Sequence, residues 1–179
     1  MRRTFLYGLM TAALVLGATT APRAQGGVQT LRAVLTGGAE APTAVNSGAH
    51  GIATITINPS SGEVTWVIDV FNYPSGLTAS HIHVGSPGTA GPIIIDFNPA
   101  PIGVSGPFRI SGSSTTVIPR PERGIRTMQE AMLAIAAGNS YVNVHSQANP
   151  GGEIRGQLCP DKGSDNTLTG IALCSPQPQ

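Results

Sequence analysis

Apolar and polar residues alternate along much of this chain with a period of two, as strands with one buried face require. Leu31-Arg32-Ala33-Val34-Leu35 predicts a first strand, ended by Thr36-Gly37-Gly38. Gly51-Ile52-Ala53-Thr54-Ile55-Thr56-Ile57 is β-branched in near alternation and stops at the turn Asn58-Pro59-Ser60-Ser61-Gly62. Glu63 to Phe71 then returns with Val64, Trp66, Ile68 and Val70 on one face, which predicts a hairpin with Trp66 in the core. Asp69 falls on the opposite face and needs no partner if that face is wet.

The same period organises the second half. In His81-Ile82-His83-Val84 the two imidazoles share one face, about 6.6 Å apart at Cα, and Ile82 and Val84 share the other. The Gly/Pro stretch that follows leads into the strand Ile93–Phe97. Residues 98–118 are rich in Pro, Gly and Ser, and only a weak strand is legible around Pro107-Phe108-Arg109-Ile110. Thr127 to Gly138 predicts the chain's one helix. Thr127 is its N-cap, Glu130 completes a capping box, Gly138 stands at C′, and a Met/Leu stripe packs inward. Tyr141-Val142-Asn143-Val144-His145 is a further strand with Val142 and Val144 toward the core. A short turn at Asn149-Pro150-Gly151-Gly152 returns it as Glu153–Leu158, an antiparallel hairpin that sets Glu153 and Arg155 beside His145 on a wet outer face. The fold class is mainly β, an antiparallel Greek-key sandwich or flattened barrel with one short helix.

Composition agrees. With 23 Gly, 15 Pro and 11% charged residues the chain is turn-rich and poor in charged helical faces, while 40% hydrophobic content excludes intrinsic disorder. Its 179 residues make one domain. Arg2 and Arg3 followed by the apolar run Phe5–Ala18 read as an export signal over residues 1–24, which implies a secreted or periplasmic protein. Arg2-Arg3-Thr4-Phe5-Leu6 is also similar to a twin-arginine signal. No later stretch is long enough to span a membrane. Removing Arg2, Arg3 and Arg23 takes the formal charge from +1 to −2, and without a basic patch nucleic acid is excluded as a partner. Residues 25–158 form the domain and 159–179 a tail. In an oxidising compartment the only cysteines, Cys159 and Cys174, are expected to close that tail as a disulfide, a loop of about fifteen residues worth about 3 kcal/mol.

The chemistry on offer is that of imidazole. If the apolar faces form the core, His81, His83 and His145 all project from the other side of the sheet. Three such ligands suit copper, or zinc at about 2.0–2.1 Å, and leave a position open; binding is expected to weaken below the ordinary histidine pKa of about 6.5. His50 is a further histidine whose place the sequence does not give. The alternative is a polar outer face in which the histidines hydrogen-bond to Asn143, Glu153 or Gln157 and no cofactor is bound. Such a chain would be a non-catalytic module for a protein or matrix partner. Hydrolase chemistry is disfavoured, since Ser80 points away from His81 and no Gly-x-Ser-x-Gly elbow exists. Asp69, Asp96 and Glu153 show no spacing that implies a shared acid–base site.

Three blocks carry a family resemblance: Leu35-Thr36-Gly37-Gly38-Ala39-Glu40-Ala41-Pro42, Ala79-Ser80-His81-Ile82-His83-Val84-Gly85 continuing through Gly88-Thr89-Ala90-Gly91-Pro92-Ile93, and Gly138 to Leu158. Together they resemble the CHRD domain, named after chordin and found alone in exported bacterial proteins. The resemblance implies no defined activity. A looser one, to the copper half of copper/zinc superoxide dismutases, rests on the order His81, His83, His145, Arg155. It implies a β-sandwich or barrel, a copper-only site and Arg155 as guide for a small anion. No residues that would build a zinc half accompany them.

Overall fold

The computed structural model describes residues 27–98 and 100–161. The expected leader and Cys174 lie outside that span. Among the described residues nine strands make a single antiparallel sheet: β1 (Gln29–Thr36), β2 (His50–Asn58), β3 (Glu63–Tyr73), β4 (Leu77–Val84), β5 (Ile93–Asp96), β6 (Gly106–Ser114), β7 (Ser140–Ser146), β8 (Ile154–Gln157) and β9 (Cys159–Pro160). Their order is β5-β4-β7-β8-β1-β2-β3-β6, with β9 alongside β1. The sheet curls until its ends meet. The Ile118 amide, just past β6, donates to the Ile94 carbonyl of β5 at 2.8 Å, and Trp66 of β3 packs on Phe97 with ring centroids 4.7 Å apart. The result is a nearly closed, flattened barrel around Leu31, Leu35, Ile55, Ile68, Ile82 and Val144.

Period two placed the faces well. Val64, Trp66, Ile68 and Val70 are buried, as are Ile82, Val142, Val144 and Ile154, and Val84 packs against the same core. Helix α1 (Met128–Ala136) starts at Thr127 with both hydrogen bonds of the capping box formed, and Gly138 adopts φ 73° at C′. Its stripe is narrower than expected: Met132 is buried but Leu133 is 60% exposed.

Two expectations need correction. The first concerns β6, which is a full nine-residue strand paired with β3 over most of its length. Its turn-like composition has structural causes. As an edge strand it tolerates Pro107, and Gly112 lies directly under the Trp66 indole, where a Cβ would come within 2.8 Å of the ring. Arg109 of the same strand donates to both carboxylate oxygens of Asp69, at 2.6 and 3.0 Å, so Asp69 is paired after all.

The second correction concerns the outer face of β4, β7 and β8, which is not wet. The Gly85–Pro92 loop and the segments before β2 and after β7 fold over it, and Tyr141, Asn143, Glu153 and Arg155 are all buried. The molecule therefore has a second, polar layer on the far side of the sheet from its apolar core.

Candidate metal centre

β4 and β7 pair antiparallel with Ala79 opposite His145, His81 opposite Asn143 and His83 opposite Tyr141. That register gathers the three imidazoles on the covered face. One nitrogen from each of His81, His83 and His145 lies within 4.8 Å of one from each of the others, and among the described residues no other group of three or more potential ligands gathers in this way. His83 and His145 are only 8% and 9% exposed.

What each ring does with its other nitrogen decides the chemistry. His83 Nδ1 lies 2.8 Å from the Gly91 carbonyl and His145 Nδ1 lies 2.9 Å from the Pro150 carbonyl. A carbonyl oxygen only accepts, so both Nδ1 atoms carry the proton and both Nε2 atoms present lone pairs. His81 Nε2 lies 3.7 Å from Asp96 Oδ1. Without an ion, His81 Nδ1–H donates to His145 Nε2, 3.2 Å away; with one bound, the proton would sit on Nε2, on the carboxylate side, and free the Nδ1 lone pair. Two ligands about 2.05 Å from a tetrahedral ion stand about 3.3 Å apart, so this pair already has a metal-compatible spacing. Backbone carbonyls and a carboxylate behind ligating histidines are the usual outer-shell supports of such centres. His83 Nε2 is buried with no hydrogen-bond partner.

Burial also sets the charge state. Desolvation, with His145 adding to it for His81, pushes His81 and His83 down to about 4, and it lowers His145 as well. The rings are therefore neutral, as ligation requires, well below the pH of about 6.5 at which exposed imidazoles protonate.

The polar layer around the triad is tightly tied. The Arg155 guanidinium lies 3.4 Å from the Tyr141 ring centroid, and its Nη2 donates to the carbonyls of Ser86 and Thr89 at 3.3 and 2.8 Å. It is 2% exposed, and its charge is felt at His83. Tyr141 stacks on His83 at 4.9 Å, and its hydroxyl bonds Gly91, the residue whose carbonyl orients His83. Glu153 accepts from Ser47, from Ser146 at 2.7 Å and from Asn149 at 2.5 Å. Burial pushes its carboxyl up, but these three donors outweigh that and hold it below the usual range. Glu40 differs. Burial raises it to about 7 despite Arg155 and a weak contact from Asn143 Nδ2 at 3.4 Å.

His50 takes no part. It stands on β2, beyond β8 and β1, where it stacks on Phe71. Cys159 is buried and follows β8, but Cys174 lies outside the described residues. Sequence reasoning missed Asp96, Gly91 and Glu40. The β4–β5 register that sets Asp96 against His81 contains a shift between Ile82 and His83, so counting residues across the loop does not find it.

The CHRD domain model matches residues 31–158, a span that opens on β1, closes just after β8 and contains every residue of the triad and its supports. No curated protein and no solved structure matches the chain. On that match over most of its length, the chain belongs to the CHRD domain family.

Proposed function

We propose that this chain is an exported CHRD-domain protein that binds one copper ion, or zinc in its place, through His81, His83 and His145. The observation that supports this reading is the set of supports behind the rings. Gly91 O and Pro150 O each engage one nitrogen of His83 and His145, the Asp96 carboxylate lies 3.7 Å from His81 Nε2, and one nitrogen of each ring lies within 4.8 Å of one from each of the others. A bound ion would be held by those three nitrogens, with Lewis acidity and, for copper, redox chemistry as its contribution. The chain's own residues orient the rings and keep water off them. Export, to the periplasm or cell surface, and a Cys159–Cys174 bond belong to the same proposal.

Turnover is a separate matter, since coordination alone does not supply it. An oxidoreductase activity of the superoxide dismutase kind would need an anion path to Arg155, and that guanidinium is buried and held on loop carbonyls. A metal-free scaffold engaging a protein or matrix partner is the second reading. It is favoured by the 3.2 Å contact of His81 Nδ1 with His145 Nε2, which as a hydrogen bond satisfies both atoms without an ion. It leaves His83 Nε2 unpartnered in the interior, a cost of about 1–3 kcal/mol.

Titration calorimetry with Cu²⁺ and Zn²⁺ on protein purified without a His-tag separates the two. The metal reading expects one equivalent bound in the wild type and none in His83→Ala. No binding by the wild type at neutral pH would establish the histidines as a structural cluster. Tight binding that survives His83→Ala would place the metal elsewhere.

A further inference from the structure

Arg155 is the one buried lysine or arginine among the described residues, and no carboxylate among them lies within ion-pair distance of it. Its hydrogen bonds go to the uncharged carbonyls of Ser86 and Thr89. An unpaired charge is costly to bury. We propose that Arg155, acting across the Tyr141 ring, biases the His81, His83 and His145 site toward monovalent copper, Cu(I), over Cu(II) and zinc. The inference rests on the metal reading above and gives the oxidation state that reading leaves open.

The strand order sets the geometry. β7 lies between β4 and β8. Tyr141 of β7 is opposite His83 on its β4 side, while on its β8 side Arg155 stands opposite Asn143, two positions along. The Tyr141 ring is thus flanked by the His83 ring, nearly parallel at 9° with centroids 4.9 Å apart, and by the guanidinium, 3.4 Å from its centroid. One aromatic ring separates the cation from a ligand. The negative face of that ring holds the guanidinium, but a neutral ring cannot cancel its charge.

The acids nearby offset it incompletely. The Glu153 carboxylate accepts from Ser146, which by alternation faces the core side of β7 with Val142 and Val144, so it turns away from the imidazoles. Glu40 is raised to about 7 by burial and is only partly ionised at neutral pH. Asp96 lies 3.7 Å from His81 Nε2, but its side chain is 44% exposed and water screens it. Arg155 is 2% exposed, and its field crosses the interior, where charges act more strongly.

Imidazole suits copper and zinc alike, so the donor set does not choose between them. Its surroundings do. Three neutral rings leave the ion's charge unaltered, and a fixed cation repels a divalent ion twice as strongly as a monovalent one. Desolvation adds to this, since its cost rises with the square of the charge. Copper arriving as Cu(I) is bound without electron transfer, so the preference needs no redox partner.

The test measures two affinities on protein purified without a His-tag. Cu(I) is titrated without oxygen in competition with bathocuproine disulfonate, and Cu(II) by calorimetry in competition with glycine. In the wild type Cu(I) should bind the more tightly. Arg155→Gln removes the charge, and the ratio of Cu(I) to Cu(II) affinity should fall about ten- to hundredfold, as expected for one unit charge a ring's thickness beyond a ligand at an effective dielectric of about 20. Arg155→Lys keeps the charge and should restore the ratio. Near-UV circular dichroism checks the fold of each variant. Should Arg155→Gln not fold, Glu40→Gln at pH 8 decides. There the wild-type carboxyl is ionised and opposes Arg155, so the variant's ratio should exceed the wild type's several-fold. An unchanged ratio in the deciding variant overturns the charge role, as does a folded Arg155→Lys that behaves like Arg155→Gln. A wild type that binds Cu(II) more tightly than Cu(I) overturns it too, and each of these leaves metal binding by the three histidines standing. A wild type that takes up neither ion overturns the metal reading itself, and this inference with it.

Discussion

Among the three histidines, His81 is the one whose tautomer depends on another side chain. Backbone carbonyls fix His83 and His145, whereas His81 has only the Asp96 carboxylate, 3.7 Å from its Nε2 and itself held by Asn98 Nδ2 at 2.6 Å, to favour the ligating tautomer. Asp96→Asn keeps the shape but removes the charge that favours a proton on Nε2. Metal affinity is expected to fall about 10–100-fold, the usual cost of an outer-shell change. Stability should hardly move, because Asp96 is solvent-exposed and surface substitutions stay within about 0.5 kcal/mol. Calorimetry beside urea unfolding checks both halves, and an unchanged affinity would remove Asp96 from the site. The histidines themselves were legible because side-chain direction in a strand follows from counting. Asp96 was not, because its partner lies across a loop and an irregular register.

At the scale of the element, the Gly85–Pro92 loop does more than join β4 to β5. It roofs the polar layer, receives Arg155 and Gln157 on its carbonyls, and supplies the oxygen that orients His83. Two of its glycines differ in kind. A Cβ at Gly91 would lie 1.7 Å from the Val84 carbonyl oxygen, so no side chain fits without moving the loop. Gly88 has open space around it but a φ of 74°. Gly88→Ala should cost about 1–2 kcal/mol, the penalty of left-handed backbone. Gly91→Ala should cost more than about 3 kcal/mol, in the range of severe steric and backbone disruption, and weaken metal binding as well. Equal losses in urea unfolding would mean that the loop adapts freely. The capping box of α1 was readable because all its partners lie within three residues. The roof was not: what covers Arg155 is 66 to 69 positions away in sequence, and nothing local to Glu153-Ile154-Arg155 announces it.

For the molecule as a whole, the price of a buried polar layer is a stability that depends on pH in two opposing ways. The histidines are depressed: their unfolded value is 6.5, while His81 and His83 fold to about 4 and His145 is lowered too. Between those limits the unfolded chain binds protons that the folded one refuses, so this contribution is complete above 6.5 and lost as pH falls toward 4. Glu40 is raised from 4.5 to about 7 by burial, so its contribution is complete below 4.5 and lost as pH rises through 7. From 4.5 to 6.5 three imidazoles outweigh one carboxyl, and the metal-free protein should gain stability with pH. Beyond 6.5 the histidines have no further effect, and Glu40 alone should bring a shallow decline toward pH 8. Glu40→Gln replaces the buried acid by a neutral amide of the same size. It should keep the acid limb and abolish the decline, which urea midpoints at half-unit steps from pH 4.5 to 8 would reveal. A wild-type midpoint that stays level from 6.5 to 8 would mean that Glu40 is ionised in the folded protein, with Arg155 rather than desolvation setting its charge.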